Sequence, residues 1–356
     1  MTNTPAIKHR RAVQNRLLKW FDGRSRNLPW IDDGTPYHIW VSEIMLQQTQ
    51  IVTVIDYYKR FIKKFPGVKK LAAADIDTVL KFWEGLGYYR RARQLHKAAQ
   101  VIAAEHDGKF PTDIDDVLAL PGIGRYTAAA ILSISTDQPH AILEGNTIRL
   151  FARLSALRAD TTKSTSQKQL WEFSEQLLPN RRPGDFNQAA MDLGREICKP
   201  KKPNCETCPI SDFCVTYVQG LQEQIPVRGK KMQYEDLHEA IVLIKRNGKL
   251  LMRKCQPGER WAGLWDFPRA NIQPNSAESL VRQSVLEQTG LQTEVESLNK
   301  TIKHAVTRFR IRLDCFHSTK TNGRLKSGAG FKWKTVDEVK QLPLSTTGRK
   351  FATLFC

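Results

Sequence analysis

Four of the chain's seven cysteines, Cys198, Cys205, Cys208 and Cys214, fall within 17 residues in the spacing C-x6-C-x2-C-x5-C. Pro200, Pro203 and Pro209 stand among them and prevent a continuous helix, since proline lacks an amide donor and clashes with the preceding turn. Four soft ligands from one loop imply a metal centre. Structural zinc and a [4Fe–4S] cluster both accept four cysteines. Zinc ribbons usually pair two C-x2-C knuckles and only one is present, so a [4Fe–4S] cluster is the expected cofactor. Lys199, Lys201 and Lys202 share the loop, which makes it a basic projection able to reach phosphates. Cys255, Cys315 and Cys356 are scattered and read as packing residues or inert thiols. An odd count without an export signal argues against a disulfide framework.

At roughly 150 residues per domain, 356 residues suggest two domains. Lys and Arg number 55 against 36 Asp and Glu, a net charge of +19 that favours a polyanionic partner, nucleic acid first. No run of roughly 18 apolar residues exists, which excludes a spanning helix. Charges interrupt every apolar cluster in TNTPAIKHRRAVQNRLLKW after Met1, so the expected location is cytoplasmic, with the nucleoid. Residues 1–220 read as an all-α domain, with helices at Tyr37 to Val54, Asp77 to Trp83, Ala92 to Glu105, Ile114 to Leu120, Tyr126 to Ser135, Thr147 to Leu157 and Gln167 to Leu178. Residues 221–233, polar and basic with Pro226 and Gly229, read as a linker. Residues 234–356 read as α+β, with β-like runs at Glu239 to Lys245, Lys249 to Arg253 and Phe309 to Phe316 and a helix near Ala277 to Gln288.

Between two helical patterns, LPGIGRYTA begins at Leu120. Gly122 and Gly124 permit a tight turn whose backbone N–H groups, leading into a helix N-terminus, can hold a phosphate without reading sequence. Gly-x-Gly alone fits an ordinary helix–loop–helix turn equally well.

Together with the cysteine spacing and SEIMLQQTQ from Ser42, this hairpin resembles the helix-hairpin-helix DNA glycosylases that carry an iron–sulfur loop, and among them the MutY-type adenine DNA glycosylases. GLGYYRRAR from Gly85, FNQAAMDLG from Phe186 and GLWDFPR from Gly263 extend the resemblance over nearly the whole chain. It implies an all-α glycosylase domain with a [4Fe–4S] loop and a C-terminal α+β Nudix-like domain. The implied activity is monofunctional excision of adenine mispaired with 8-oxoguanine or guanine in double-stranded DNA, by a monomer in base excision repair.

Cleaving an N-glycosidic bond needs an acid for the leaving base and an anion for the oxocarbenium-like sugar. The resemblance makes Glu43 the acid. Periodicity alone puts Glu43 with Gln47 and Gln50 on a polar stripe opposite Trp40, Val41, Ile44 and Met45, which reads as a solvated helix face. The second carboxylate falls at Glu144, where the family usually has Asp. A helix starting near Thr147 would favour its ionised form. One extra methylene displaces the carboxylate by roughly 1.5 Å, and shifts of about 1 Å can cost on the order of 100-fold in rate. A restored geometry, a slowed enzyme and a mismatch-binding protein without turnover all remain open, as does a thymine or uracil mismatch glycosylase. Tyr126 stands where bifunctional relatives carry a Schiff-base lysine, so weak or no lyase activity is expected. Asn146 resembles the residue that orients the acids, and Arg26, Trp30, Leu46 and Gln188 resemble the base pocket.

A stacked base must leave the helix before it is attacked, and a wedge must fill the gap. Gln48, Ile51, Leu86 and Tyr88 are the candidates. In the Nudix-like half, Gln283 to Gly290 retains Glu287 alone among the acids of a hydrolytic box, so the segment is poorly equipped for pyrophosphate hydrolysis and a reading role is expected. By resemblance the lesion-reading turn is Val306-Thr307-Arg308, where the family commonly has Phe-Ser-His. Arg308, Arg310 and Arg312 then alternate with Phe309, Ile311 and Leu313, giving a basic face opposite an apolar one.

Overall fold

The computed structural model describes residues 4–25, 27–227, 229, 233–273, 278–328 and 330–355. Arg26, Cys356 and part of the expected linker lie outside the described residues. The chain divides into two compact units, Met1–Ala73 with Gln94–Lys230, and Ala74–Arg93 with Lys231–Cys356.

The first unit is helical, as expected. One of its cores gathers Leu17 from the Arg10–Asp22 helix, Phe151 from Gly145–Ser155, Phe173 from Ser164–Leu177, and Phe186 and Leu193 from Pro183–Glu196. One expectation fails. The helix read as Tyr37 to Val54 is two helices, Pro36–Leu46 and Ile51–Lys64. Gln48 adopts φ +57° between them, a backbone state that no helix interior accommodates. The first of the pair is buried from Ile39 through Met45, nearly all round. Glu43 therefore lies inside the domain rather than on a solvated face, whereas Gln47 is half-buried and Gln50, the N-cap of the next helix, stays exposed.

Pro183–Glu196 is not among the helices expected from periodicity. Pro183 sits at its first turn, where a missing amide costs nothing. Two glycines let it approach its neighbours. A Cβ on Gly184 would lie 2.2 Å from the Ser133 carbonyl oxygen, and one on Gly194 would lie 2.8 Å from the Asn146 carbonyl oxygen. Both helices beside it, Arg125–Thr136 and Gly145–Ser155, begin at segments flagged by the sequence.

The second unit contains strands β1 (Glu235–Leu243), β2 (Lys245–Arg246), β3 (Lys249–Lys254), β4 (Trp265–Asp266), β5 (Arg269–Asn271), β6 (Gln292–Val306), β7 (Phe309–Asn322) and β8 (Phe331–Thr335). One sheet has the order β5-β1-β7-β6, with β1 parallel to β7 and the other pairs antiparallel; β2, β3 and β4 form another, joined by β8 on β3. Alternate residues of β1 and β7 supply two cores. Ile241, Ile311 and Leu313 pack with Phe351 of the Thr346–Phe355 helix, while Ala240, Val242 and Phe316 pack with Val281 and Val285 of the Glu278–Thr289 helix. The α+β expectation holds. The long strand β6 has no counterpart among the expected strands, because irregular pairing at Glu294/Val295 and Ser297/Thr301 breaks its alternation.

Candidate active site

Glu43, Tyr126, Glu144, Asn146 and Gln188 line one cleft of about 940 Å³ in the first unit, with Trp30, Leu46, Gln48 and Ile51. Space of that order accommodates a nucleoside. The Tyr126 hydroxyl donates to Glu43 Oε2 at 2.6 Å and contacts Met191 Sδ at 3.5 Å. Burial pushes the Glu43 carboxyl up to about 7; the Tyr126 hydrogen bond opposes this and the Glu144 charge adds to it. The Tyr126 phenol is raised well above its ordinary value, chiefly by burial, and so remains a donor.

Glu144 is the N-cap of the Gly145–Ser155 helix. Its Oε1 accepts from the Asn146 amide at 2.9 Å and the Thr147 amide at 3.0 Å, and Thr147 Oγ1 accepts from the Glu144 amide at 2.8 Å. Asn146 Nδ2 donates to Glu144 Oε2 at 3.2 Å. Burial raises the Glu144 carboxyl, while the two amides and Arg149 hold it down; the net direction is upward. The capping role and the place in the cleft coexist in one side chain.

Sequence reading missed two arginines behind this site. Arg149 is buried and donates through Nη2 to Asn146 Oδ1 at 2.9 Å and the Gly194 carbonyl at 2.6 Å, and through Nε to the Cys198 carbonyl at 2.7 Å. Arg153, one turn on, donates from Nη1 to Cys198 Sγ at 3.3 Å and to the Lys199 carbonyl at 2.8 Å, and from Nε to the Ile225 carbonyl at 2.8 Å. Both lie on the apolar side of their helix among Leu150, Phe151 and Leu154. A charged residue there must find buried partners, and that was the available signal.

Cys198, Cys205, Cys208 and Cys214 line one small cavity with Arg153. Among the described residues no three such ligands converge closely enough for a single ion. A four-iron cluster spans a wider set of thiolates than one zinc, so the donor set and its spacing fit the cluster. Burial pushes the bare Cys208 thiol up to about 12 and Cys214 up to about 11. Thiolates there need a bound cation to form. Replacing Cys208 with Ser is expected to lower the iron content of the purified protein and its melting temperature together; unchanged iron would contradict the ligand assignment.

The remaining candidates divide. Gln188 is buried and donates from Nε2 to the Gly184 carbonyl at 3.3 Å, and Trp30 packs edge-on against Tyr58 at 5.4 Å. Gln48 is exposed, Ile51 is half-buried, and Val52, not among the expected residues, is 81% exposed at the cleft. Gly122 takes φ +81° and is exposed, as is Gly124, the N-cap of Arg125–Thr136. In the second unit Leu86 is buried whereas Tyr88 is 45% exposed. Of the two, Tyr88 is the one that presents its side chain to solvent. Thr307, at φ +50°, and Arg308 are exposed in the β6–β7 turn, but Val306 packs partly into the core.

The profile of the HhH-GPD superfamily base excision DNA repair proteins matches residues 41–176, that of the iron-sulfur binding domain of endonuclease III matches 198–214, and the NUDIX domain matches 239–354. An adenine DNA glycosylase of Buchnera aphidicola is 38% identical over 271 residues, covering 76% of this chain and 78% of the relative. The chain belongs to the adenine DNA glycosylase family. The Mus musculus adenine DNA glycosylase is also 38% identical, over 78% of this chain, which spans only 55% of that relative's length. Among solved structures, a thermostable thymine-DNA glycosylase is 29% identical with a TM-score of 0.53, covering 60% of this chain and 98% of its own. An endonuclease III–DNA complex, 20% identical with a TM-score of 0.52, covers 61% of this chain and 98% of its own and shares the fold. Family membership brings a [4Fe–4S] cluster to the cysteine loop.

Proposed function

We propose that the chain excises adenine opposite 8-oxoguanine or guanine from double-stranded DNA by hydrolysing its N-glycosidic bond. The observation that carries this reading is the Glu43 carboxyl, buried at a nucleoside-sized cleft with its pKa near 7 and a carboxylate partner beside it. A protonated Glu43 donates to the departing base. Because Tyr126 occupies Oε2, Oε1 is the oxygen that carries the proton to be given. Glu144, when ionised, faces the positive charge that grows on the sugar, and Asn146 keeps its Oε2 in place. Gln188 supports the adenine assignment, since an amide suits the donor–acceptor edge of that base. Tyr126 is no amine, so the sugar is not captured as a Schiff base and lyase activity stays low. A [4Fe–4S] cluster bound by the four cysteines would tie their loop together and with it the Cys198 carbonyl that Arg149 grips.

Gln48, Ile51 and Tyr88 open the stack, the Gly122–Gly124 turn holds phosphate, and Thr307 with Arg308 reads the opposing lesion in this account. A second reading, excision of mismatched thymine, has the 29% identity to the thymine-DNA glycosylase in its favour. A third, binding without turnover, is motivated by Glu144. Incubation with duplexes bearing A:8-oxoguanine, A:G or T:G, followed by alkali to break abasic sites, distinguishes them. Breaks at A:8-oxoguanine and A:G are expected. Breaks at T:G alone would refute the adenine assignment, and tight binding without breaks would favour the silent protein.

The pH dependence follows from Glu43. Its folded pKa of about 7 lies above the ordinary 4.5, so the native state holds more protons than the unfolded chain between those values. The stability associated with this group is therefore complete below 4.5 and is lost as pH rises through about 7. The rate constant of base excision is expected to fall above pH 7 for the same reason, as the acid ionises. A single-turnover profile that stays flat to about pH 9 would contradict the assignment.

A further inference from the structure

The Ile76–Trp83 helix and the loop after it belong to the second unit, whose strands and last helix hold them at three points. At the start, Asp77 Oδ1 accepts from Lys254 Nζ at 2.6 Å and Oδ2 from Trp265 Nε1 at 3.2 Å. At the end, Glu84 Oε1 accepts from Arg349 Nε at 2.5 Å, and Oε2 accepts from Arg349 Nη2 at 3.0 Å, Lys81 Nζ at 3.1 Å and the Leu344 amide at 3.4 Å. Beyond the loop, Arg93 Nη1 donates to the Ala262 carbonyl at 2.5 Å. The Glu84 side chain is 12% exposed, so its ion pairs are shielded far more than ordinary surface pairs.

Between these tethers the backbone is unusual. Gly85, Gly87 and Tyr88 take φ +95°, +79° and +48°. Such a conformation in a tyrosine persists only where the surroundings enforce it. Trp83 Nε1 donates to the Gly87 carbonyl at 3.1 Å, the Gly85 amide to the Tyr89 hydroxyl at 3.0 Å, and the Arg91 guanidinium stacks 5.4 Å over the Tyr88 ring. The outcome is one aromatic side chain presented to solvent from a loop pinned on both sides. A wedge that separates stacked bases meets a resistance of a few kcal/mol per step, so it works only if its own support does not yield first.

We propose that Arg349 and Lys254, in the Nudix-like half of the sequence, are positioning residues for DNA wedging: through Glu84 and Asp77 they fix the helix and loop that aim Tyr88 at the base stack. This depends on reading Tyr88 as the wedge, and the test separates the two ideas. Full-length protein is bound to a duplex with 2-aminopurine beside the 8-oxoguanine, whose fluorescence rises on unstacking, and amide exchange is followed across residues 84–92. Arg349→Met and Glu84→Gln are expected to speed exchange at Gly85 to Tyr89 about 10-fold and to lower the fluorescence as Tyr88→Ala does. The conservative Arg349→Lys, which keeps a cation opposite Glu84, should retain most of both signals, which a general loss of stability would not distinguish from Arg349→Met. If Tyr88→Ala abolishes the fluorescence rise while Arg349→Met and Glu84→Gln keep it, the positioning role is overturned and the wedge survives. If Tyr88→Ala keeps it, wedge and positioning role fall together.

Discussion

Glu43→Gln is expected to slow adenine release on the order of 100- to 10,000-fold in single-turnover assays, the range that a positioned general acid supplies. The substitution preserves shape and can still accept the Tyr126 hydrogen bond, so the loss reports the proton rather than the packing. It also removes a buried group that must stay protonated. Above pH 7 the parent carries the cost of ionising Glu43 in place, whereas the variant does not. The melting temperature of Glu43→Gln should therefore exceed that of the parent at about pH 8.5 and approach it at about pH 5.5. A variant that is both slow and less stable at high pH would assign Glu43 a structural role.

Glu144→Asp carries the second large expectation, a gain. The Glu144 carboxylate is held by the Asn146 and Thr147 amides and by Asn146 Nδ2. Aspartate is as good an N-cap and keeps those donors with one methylene fewer. If the longer side chain displaces the anion from the sugar by about 1 Å, the shorter one should raise the excision rate on the order of 100-fold. Glu144→Gln should instead abolish stabilisation of the cation while keeping a partial cap. Equal rates for the parent and Glu144→Asp would show that the backbone has already absorbed the extra length.

What the sequence made legible here was chemistry clustered locally. The cysteine loop is complete within 17 residues, and in the hairpin Gly122 marks a turn at φ +81° that favours glycine. Glu43 was the opposite case. Its spacing with Gln47 and Gln50 is that of a solvated face, but the helix ends at Leu46 and tertiary packing buries Glu43 alone of the three. Arg149 and Arg153 were hidden similarly, since most of their partners, carbonyls and a thiol, stand some 45 to 72 residues away. Leu86 and Tyr88 look equivalent in GLGYY, yet the backbone buries one and exposes the other. In β6, displaced pairing erased the alternation by which a strand is recognised.

The most direct test is a carbon-13 NMR titration of the full chain with labelled glutamate, with the Glu43 resonance assigned by its absence in Glu43→Gln. The account predicts a carboxyl that titrates near pH 7. A Glu43 that titrates at its ordinary 4.5 would leave the cleft without an acid at neutral pH and contradict the proposed chemistry.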